Sequence, residues 1–405
     1  MEGEYEIWGV THNLPHVSKT NNVHFKYQKI DSSNFETLTE EMEEMFNKNS
    51  ITVEERKTRE KLIEWLNEQL KPVYPGGYLT CGGSTVSSCG TVLADIDLCY
   101  VIKTQESYDP SELPIERYKE RRVNHFMLNR IAEVLNGIPG IYHLKLVAAT
   151  VPIAKMVINL QEVGLTDQKK LMEVDINCNC VAGVYNSYLL GGLVNFDRRL
   201  AILSVVLKEW GKKVKIVDEK RFNSYALVLL IVHYLQCGVY PPVLPNLMKI
   251  FPSRFDGTLE PRDLSTSLEG LDPQYLKLER NHMNVGELLI GFLRYYSHFD
   301  MKGWGIRVKT GEAVDMNAYG DAYPKGATSS FFLEEPYDEI TVPKNLRHQT
   351  DIAHIHEQFR EMADLIYRSP SLATLYSVEK EYRSKRQRNR EKFSSHAKGE
   401  WDETV

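Results

Sequence analysis

Apolar residues recur at helical spacing early in the chain. Leu62, Leu66 and Leu70 share one face of a helix, and Thr52 with Glu55 forms a capping-box signature that opens it. The helical reading runs from Ser32 to Tyr74, and Pro72, Pro75, Gly76 and Gly77 end it at a predicted domain boundary. The pattern then changes. Val92–Ile102 reads as a strand, Glu116–Leu135 as a helix, Leu146–Leu160 as two β-rich runs around Pro152, and Val174–Cys178 as a further short strand. Strands mixed with helices over residues 78–180 predict a compact α/β unit. From 181 to 250 the chain turns helical again, with apolar stretches at Leu200–Trp210 and Tyr225–Leu235. The latter is too short to span a bilayer and suits a buried core helix. Gly286–Tyr296 and the amphipathic Asp351–Arg368 are further helices, separated by a Gly-, Pro- and Tyr-rich region. Residues 1–32 lack periodicity and read as an extended arm.

Composition narrows the class. The 405 residues are 42% hydrophobic and 26% charged, the range of a soluble globular protein of two or three domains. No apolar run approaches a membrane span, and Met1–Val10 carries Glu2, Glu4 and Glu6 where a secretory signal needs a basic start. The abrupt start and end suit a piece of a longer protein. The six cysteines form no paired framework, and Cys178 and Cys180 lack a second ligand pair for zinc, so reduced thiols are expected. The net charge is −6, without the basic excess of a chain that grips RNA alone. The basic stretch Arg383–Lys392 reads as a solvated helix end.

The candidate chemistry sits in CGGSTVSSCGTVLADIDLCYVI, Cys81–Ile102. Gly82 and Gly83 let a ligand approach the backbone closely, and Ser84 adds a hydroxyl beside N–H groups suited to phosphate. Asp95 and Asp97 stand two apart in an apolar run, so on a strand both carboxylates project from one face. Such a pair is costly unless a cation compensates, and hard oxygen ligands suit Mg²⁺. Asp175, in LMEVDINCN, supplies a third acid on a neighbouring strand. Three such acids can hold two divalent ions against a triphosphate.

The GGS turn, the DID, the later VDIN and the YNS that follows resemble the DNA polymerase β-type nucleotidyltransferase superfamily. Within it, residues 35 to 365 are similar to noncanonical poly(A) polymerases and terminal uridylyltransferases, above all to the germline-development cytoplasmic poly(A) polymerases. The resemblance implies an α+β fold, with a small mixed-sheet nucleotidyltransferase catalytic domain (76–180) inserted in a larger helical central domain (33–75 and 181–370), and the active site in the cleft between them. An N-terminal arm (1–32) and a charged C-terminal tail (371–405) complete the expected organisation. It implies Asp95, Asp97 and Asp175 as catalytic, metal-binding residues for Mg²⁺ or Mn²⁺. Gly83, Ser84, Asn186, Ser187, Lys208, Lys212, Ser224 and Tyr225 are implied as nucleotide-binding, with Asn186 on the ribose 2′-hydroxyl, the lysines on the triphosphate and Tyr225 stacked on the base. Ser187 stands where a threonine is usual.

Base choice is expected from Glu335, Asp338 and Thr341 in EEPYDEITVPKN, Glu334–Asn345. Uridylyltransferases of the family carry a histidine in this segment that favours uracil. Here Thr341 falls at that position, and the nearest histidine, His348, lies beyond it. The expectation is a cytoplasmic mRNA 3′-end adenylyltransferase in translational control, using ATP and RNA 3′ ends, with no DNA and no membrane. The absence of an RNA-recognition motif, KH loop or zinc finger implies a separate RNA-binding protein subunit. A uridylyltransferase of the same chemistry and a catalytically silent scaffold are the competing readings.

Overall fold

A computed structural model describes residues 35–102, 117–149, 151–271, 280–316 and 330–377. The extended arm and the Arg383–Lys392 stretch lie outside the described residues.

The helical beginning is two helices with different cores. In α1 (Glu36–Asn49), Leu38, Met42 and Phe46 are buried in the core of the helical region. In α2 (Val53–Leu70), Leu62, Leu66 and Leu70 are fully buried against a sheet instead. Thr52 caps α2 by accepting the Glu55 N–H at 3.1 Å. The Glu55 carboxylate is turned to Arg59 and Lys170.

The sheet has five strands: β1 (Tyr78–Cys81), β2 (Ile96–Val101), β3 (Ile141–Val147), β4 (Ile153–Asn159) and β5 (Leu171–Cys178). Their order is β1-β2-β5-β4-β3, and only β2 and β5 run parallel. A short helix, α3 (Gly83–Ser87), follows β1, and α4 (Arg117–Leu135) covers one face of the sheet with α2. Period-2 alternation sorts the side chains. Leu98 and Tyr100 of β2, with Met172, Val174 and Ile176 of β5, enter the core under α2 and α4. Cys99 and Val101 lie on the opposite face, packed with Val184, Tyr185 and Leu264 from the helical region.

That helical region is built on α5 (Ala182–Phe196), α6 (Arg199–Lys213), α7 (Ser224–His233), α8 (Val285–His298) and α9 (Gln349–Arg368). Its interior is aromatic: Phe359 of α9 meets Trp210 and Phe292, both with ring centroids 5.7 Å away. The Gly-, Pro- and Tyr-rich region contains a second, three-stranded sheet. In it β6 (Trp304–Arg307) pairs antiparallel with β7 (Glu312–Asp315) and parallel with β8 (Leu333–Glu334). These strands are too short to carry a periodic signal, and their partners are distant in sequence. The architecture is the expected one, a small mixed sheet set against a larger helical body.

Candidate active site

A cavity of about 810 Å³ lies between the sheet and the helical body. Asp97 lines the cavity from β2, and Asp175, its direct partner in the β2–β5 register, stands on the adjacent parallel strand but is not part of the cavity lining. Alternation places both on the sheet face away from the α2–α4 core. Asp95 reaches the same cavity by another route. The strand begins at Ile96, not at Val92, so Asp95 belongs to the preceding loop. The cause is local: a turn closes with the Ala94 N–H donating to Thr91 O at 3.0 Å, and Leu93 is 89% exposed. Same-face projection along one strand therefore does not explain the pairing of Asp95 with Asp97. A loop delivers the first acid and the strand the second.

Gly83 makes room for the second acid. Its φ is +62°, and a Cβ there would lie 1.9 Å from Asp97 Oδ2. The glycine is needed for both conformation and space. Gly83 N–H donates to Ser187 Oγ at 2.7 Å, and Ser187 Oγ donates to Gly183 O at 2.5 Å. Ser187 thus lines the cavity with its hydroxyl already engaged, tying the Gly82–Gly83 turn to α5. Gly90 protects Ser84 in the same manner, since a Cβ at Gly90 would fall 2.4 Å from Ser84 Cβ.

The electrostatics call for positive charge. Asp97 is pushed up to about 7, first by burial and then by the charges of Asp95 and Asp175. Asp175 is raised too, by burial, although Lys155 pulls the other way. Lys155 Nζ donates to both Asp175 oxygens at 3.1 and 3.4 Å, and lies 3.5 Å from Asp95 and 3.1 Å from Glu173. Burial lowers Lys155, but its bonds to Glu173 and Asp175 and the Asp95 charge outweigh this and raise it. Among the described residues no three acidic, histidine or cysteine side chains are drawn together as a ready-made metal cage. The donor chemistry still fits Mg²⁺, which takes one or two carboxylates and completes its shell with phosphate oxygens and water.

Sequence reading missed Lys155 and Glu173. Lys155 sits directly opposite Asp175 in the antiparallel β4–β5 register. Only that register, absent from the one-dimensional pattern, could have brought it forward.

The helical wall supplies complementary groups. Lys208 and Lys212, one turn apart on α6, both line the cavity. Lys208 is lowered chiefly by burial, and its Nζ donates to Cys89 O at 2.7 Å. Ser224 and Tyr225 open α7, whose N-cap Asn223 accepts the Ala226 N–H at 2.7 Å. The Tyr225 hydroxyl has no partner among the described residues, and burial raises it well above the usual phenol value. Asn186 donates its amide to the Glu335 carboxylate, while its own Oδ1 is buried without a partner among the described residues. A carbonyl held this way is an acceptor waiting for a hydroxyl.

Residues 38–192 match the model for "Poly(A) RNA polymerase, mitochondrial-like, central palm domain", and residues 284–340 match "Cid1 family poly A polymerase". The chain belongs to the noncanonical poly(A) polymerase family. It is 27% identical to poly(A) RNA polymerase GLD2 of Homo sapiens over 328 residues, which cover 80% of this chain and 63% of that protein. It is 30% identical to poly(A) RNA polymerase gld-2 of Caenorhabditis elegans over 291 residues, 71% of this chain and 24% of that one. The chain therefore spans less than two thirds of these curated relatives. Among solved structures, the GLD-2/RNP-8 complex superposes with a TM-score of 0.65 at 27% identity, covering 84% of this chain and 97% of that one. The Cid1 poly(U) polymerase shares the fold, with a TM-score of 0.64 at 21% identity over 84% of this chain and 98% of that one.

The segment that members of this family were expected to use for base choice is placed differently from its neighbours in the cavity. Glu335 is buried and accepts N–H groups from Tyr337, at 2.8 Å, and from Asp338, besides the Asn186 amide. It acts on the cavity through Asn186. Asp338 forms the turn with Glu335 and is not part of the cavity lining. Thr341 is 6% exposed, donates its hydroxyl to Phe331 O at 3.2 Å and bridges Glu334, so it faces the second sheet and does not line the cavity. The reason is the tight Glu335–Ile340 turn, which folds Thr341 back onto β8. His348 is exposed at the N-terminus of α9, also away from the cavity lining.

Proposed function

We propose that this chain is a template-independent RNA 3′-end adenylyltransferase. One observation carries the reading: Asp97 and Asp175 stand side by side on the cleft face of the sheet, next to the Gly83–Ser84 turn, at a site whose burial makes their charge expensive. Asp95, Asp97 and Asp175 would hold Mg²⁺ or Mn²⁺. When bound, such an ion polarises the phosphates and stabilises the charge of departing pyrophosphate.

The chain's own groups do the rest. The Gly83–Ser84 turn and Lys208 and Lys212 grip the triphosphate. Asn186 Oδ1 accepts a ribose hydroxyl, and Tyr225 offers its ring to the base. The RNA 3′-hydroxyl attacks the α-phosphorus in line. The new 3′-O–P bond forms as the α–β bridging bond breaks, and pyrophosphate carries away the electron pair. Asp175, beside Asp97 in the sheet, is the carboxylate proposed to take up the hydroxyl proton.

ATP is the proposed nucleotide. No histidine lines the cavity among the described residues, so the crowding that disfavours adenine has no source there. The −6 charge supports a separate RNA-binding subunit. The relative GLD-2 has been solved with RNP-8 and with GLD-3, which makes a protein partner for this chain a natural proposal. All six cysteines are free, which suits a reducing compartment such as the cytoplasm, and the germline and translational-control setting is proposed from the relatives.

The test is single-nucleotide addition to an oligo(A) RNA with each of the four NTPs, with and without a candidate RNA-binding partner. Addition from ATP that is lost in Asp95→Ala and Asp97→Ala supports the reading. Equal or preferred use of UTP would point to a uridylyltransferase, and no transfer under any condition would point to a silent scaffold.

A further inference from the structure

Arg59 occupies a position where the pattern of α2 calls for an apolar residue. Glu55, Arg59, Leu62, Leu66 and Leu70 form one buried stripe. Arg59 is 1% exposed, yet no part of the chemistry above uses it. A buried guanidinium is tolerated only when its donors are satisfied. They are satisfied by the two segments that build the phosphate and metal site. Nη1 donates to Thr85 Oγ1 at 2.7 Å, beside Ser84 in the turn. Nη2 donates to Val92 O and Ala94 O, each at 2.9 Å, in the loop that ends at Asp95. Nε donates to Glu55 Oε1 at 3.2 Å, and Glu55 also bonds Lys170. The neighbouring Arg56 adds a bond from Nη1 to Thr85 O at 2.9 Å.

We infer that Arg59 is a positioning residue that fixes the spacing between the Gly83–Ser84 turn and Asp95. Asp95 has no strand to hold it, because β2 starts one residue later. The planar fork of one guanidinium replaces the missing strand hydrogen bonds by capturing two carbonyls of the loop together with a hydroxyl of the turn. Lysine, a point charge with three donors on a single nitrogen, cannot span all three. Supporting contacts of this kind usually change metal affinity or activity by about 10- to 100-fold when removed.

The inference rests on the proposed nucleotidyl transfer for its consequence, but its geometry can be tested separately. Hydrogen exchange read by mass spectrometry on the metal-free full chain should show faster exchange in residues 82–95 of Arg59→Met than of wild type. Arg59→Lys should fall between them. Ile131→Val, a small cavity in the same sheet core, should leave that segment unchanged. In the transfer assay, Arg59→Met should raise the Mg²⁺ concentration for half-maximal rate and the KM for ATP by about 10- to 100-fold, whereas Ile131→Val should raise neither. Wild-type exchange of residues 82–95 in both Arg59 variants would overturn the inference, as would an equal rise in Ile131→Val. A wild-type chain that transfers no nucleotide, with exchange still loosened by Arg59→Met, would sink the proposed function and leave the positioning role standing.

Discussion

Replacing Gly83 by alanine isolates the demand made by the site's geometry. Alanine at a φ of +62° is in the left-handed region, which costs about 1–2 kcal/mol. The new Cβ would also stand 1.9 Å from Asp97 Oδ2 and 2.7 Å from its Cγ. Ordinary contact begins near 3.4 Å, so carboxylate and turn must separate by about 1.5 Å. A misplacement of about 1 Å among reacting groups can cost about 100-fold in rate. Gly164 is an internal control, since its φ is +78° and nothing lies within 4 Å of its would-be Cβ. Gly164→Ala should therefore lose similar backbone stability and keep its chemistry. The assay is metal-dependent addition of AMP to RNA, with a thermal melt of each variant. Gly83→Ala should fall by about 100-fold or more while Gly164→Ala stays near wild type, both melting a few degrees lower. If Gly83→Ala works as well as Gly164→Ala, the close seating of Asp97 against the turn is not what catalysis uses.

Three further outcomes follow from the same geometry. Because burial and its acidic neighbours raise Asp97 from 3.8 to about 7, the unfolded chain releases this proton first as pH rises, and the folded state loses stability through that window. Without metal, Asp97→Asn should melt above wild type at pH about 8, the gap closing toward the acid end of the window, and a higher wild-type melting point at alkaline pH would refute the charge argument. Asn186→Ala should relax discrimination between ATP and dATP in a competition assay, since it removes the buried Oδ1 acceptor. Thr341→His should lower the melting temperature without creating a preference for UTP, because Thr341 is engaged with Phe331 O and Glu334; a gain of UTP use would show that this position does reach the base.

The sequence carried some of these features better than others. The Leu62–Leu66–Leu70 stripe, the buried helix around Tyr225–Leu235 and the amphipathic α9 repeat at a period that local reading detects, and the structure buries those residues. The GGS turn with its acids was legible because both halves lie within one stretch of chain. The strand assigned from Val92 was too long, because a loop held by distant carbonyl contacts to Arg59 still has apolar composition. Lys155 and Arg59 stayed hidden for a related reason. Each looks like a surface charge until strand register or helix docking shows what faces it. Thr341 was placed by counting along a segment, and a tight turn at Glu335–Ile340 folds it back onto β8.

The most direct test of the central claim is a structure of the full chain with Mg²⁺ and a non-hydrolysable ATP analogue. A divalent ion is expected about 2.0–2.1 Å from oxygens of Asp95 and Asp97. The triphosphate is expected against Gly83–Ser84 and the base over Tyr225. An analogue bound elsewhere, or seated in this cavity with no ion on those two carboxylates, would contradict it.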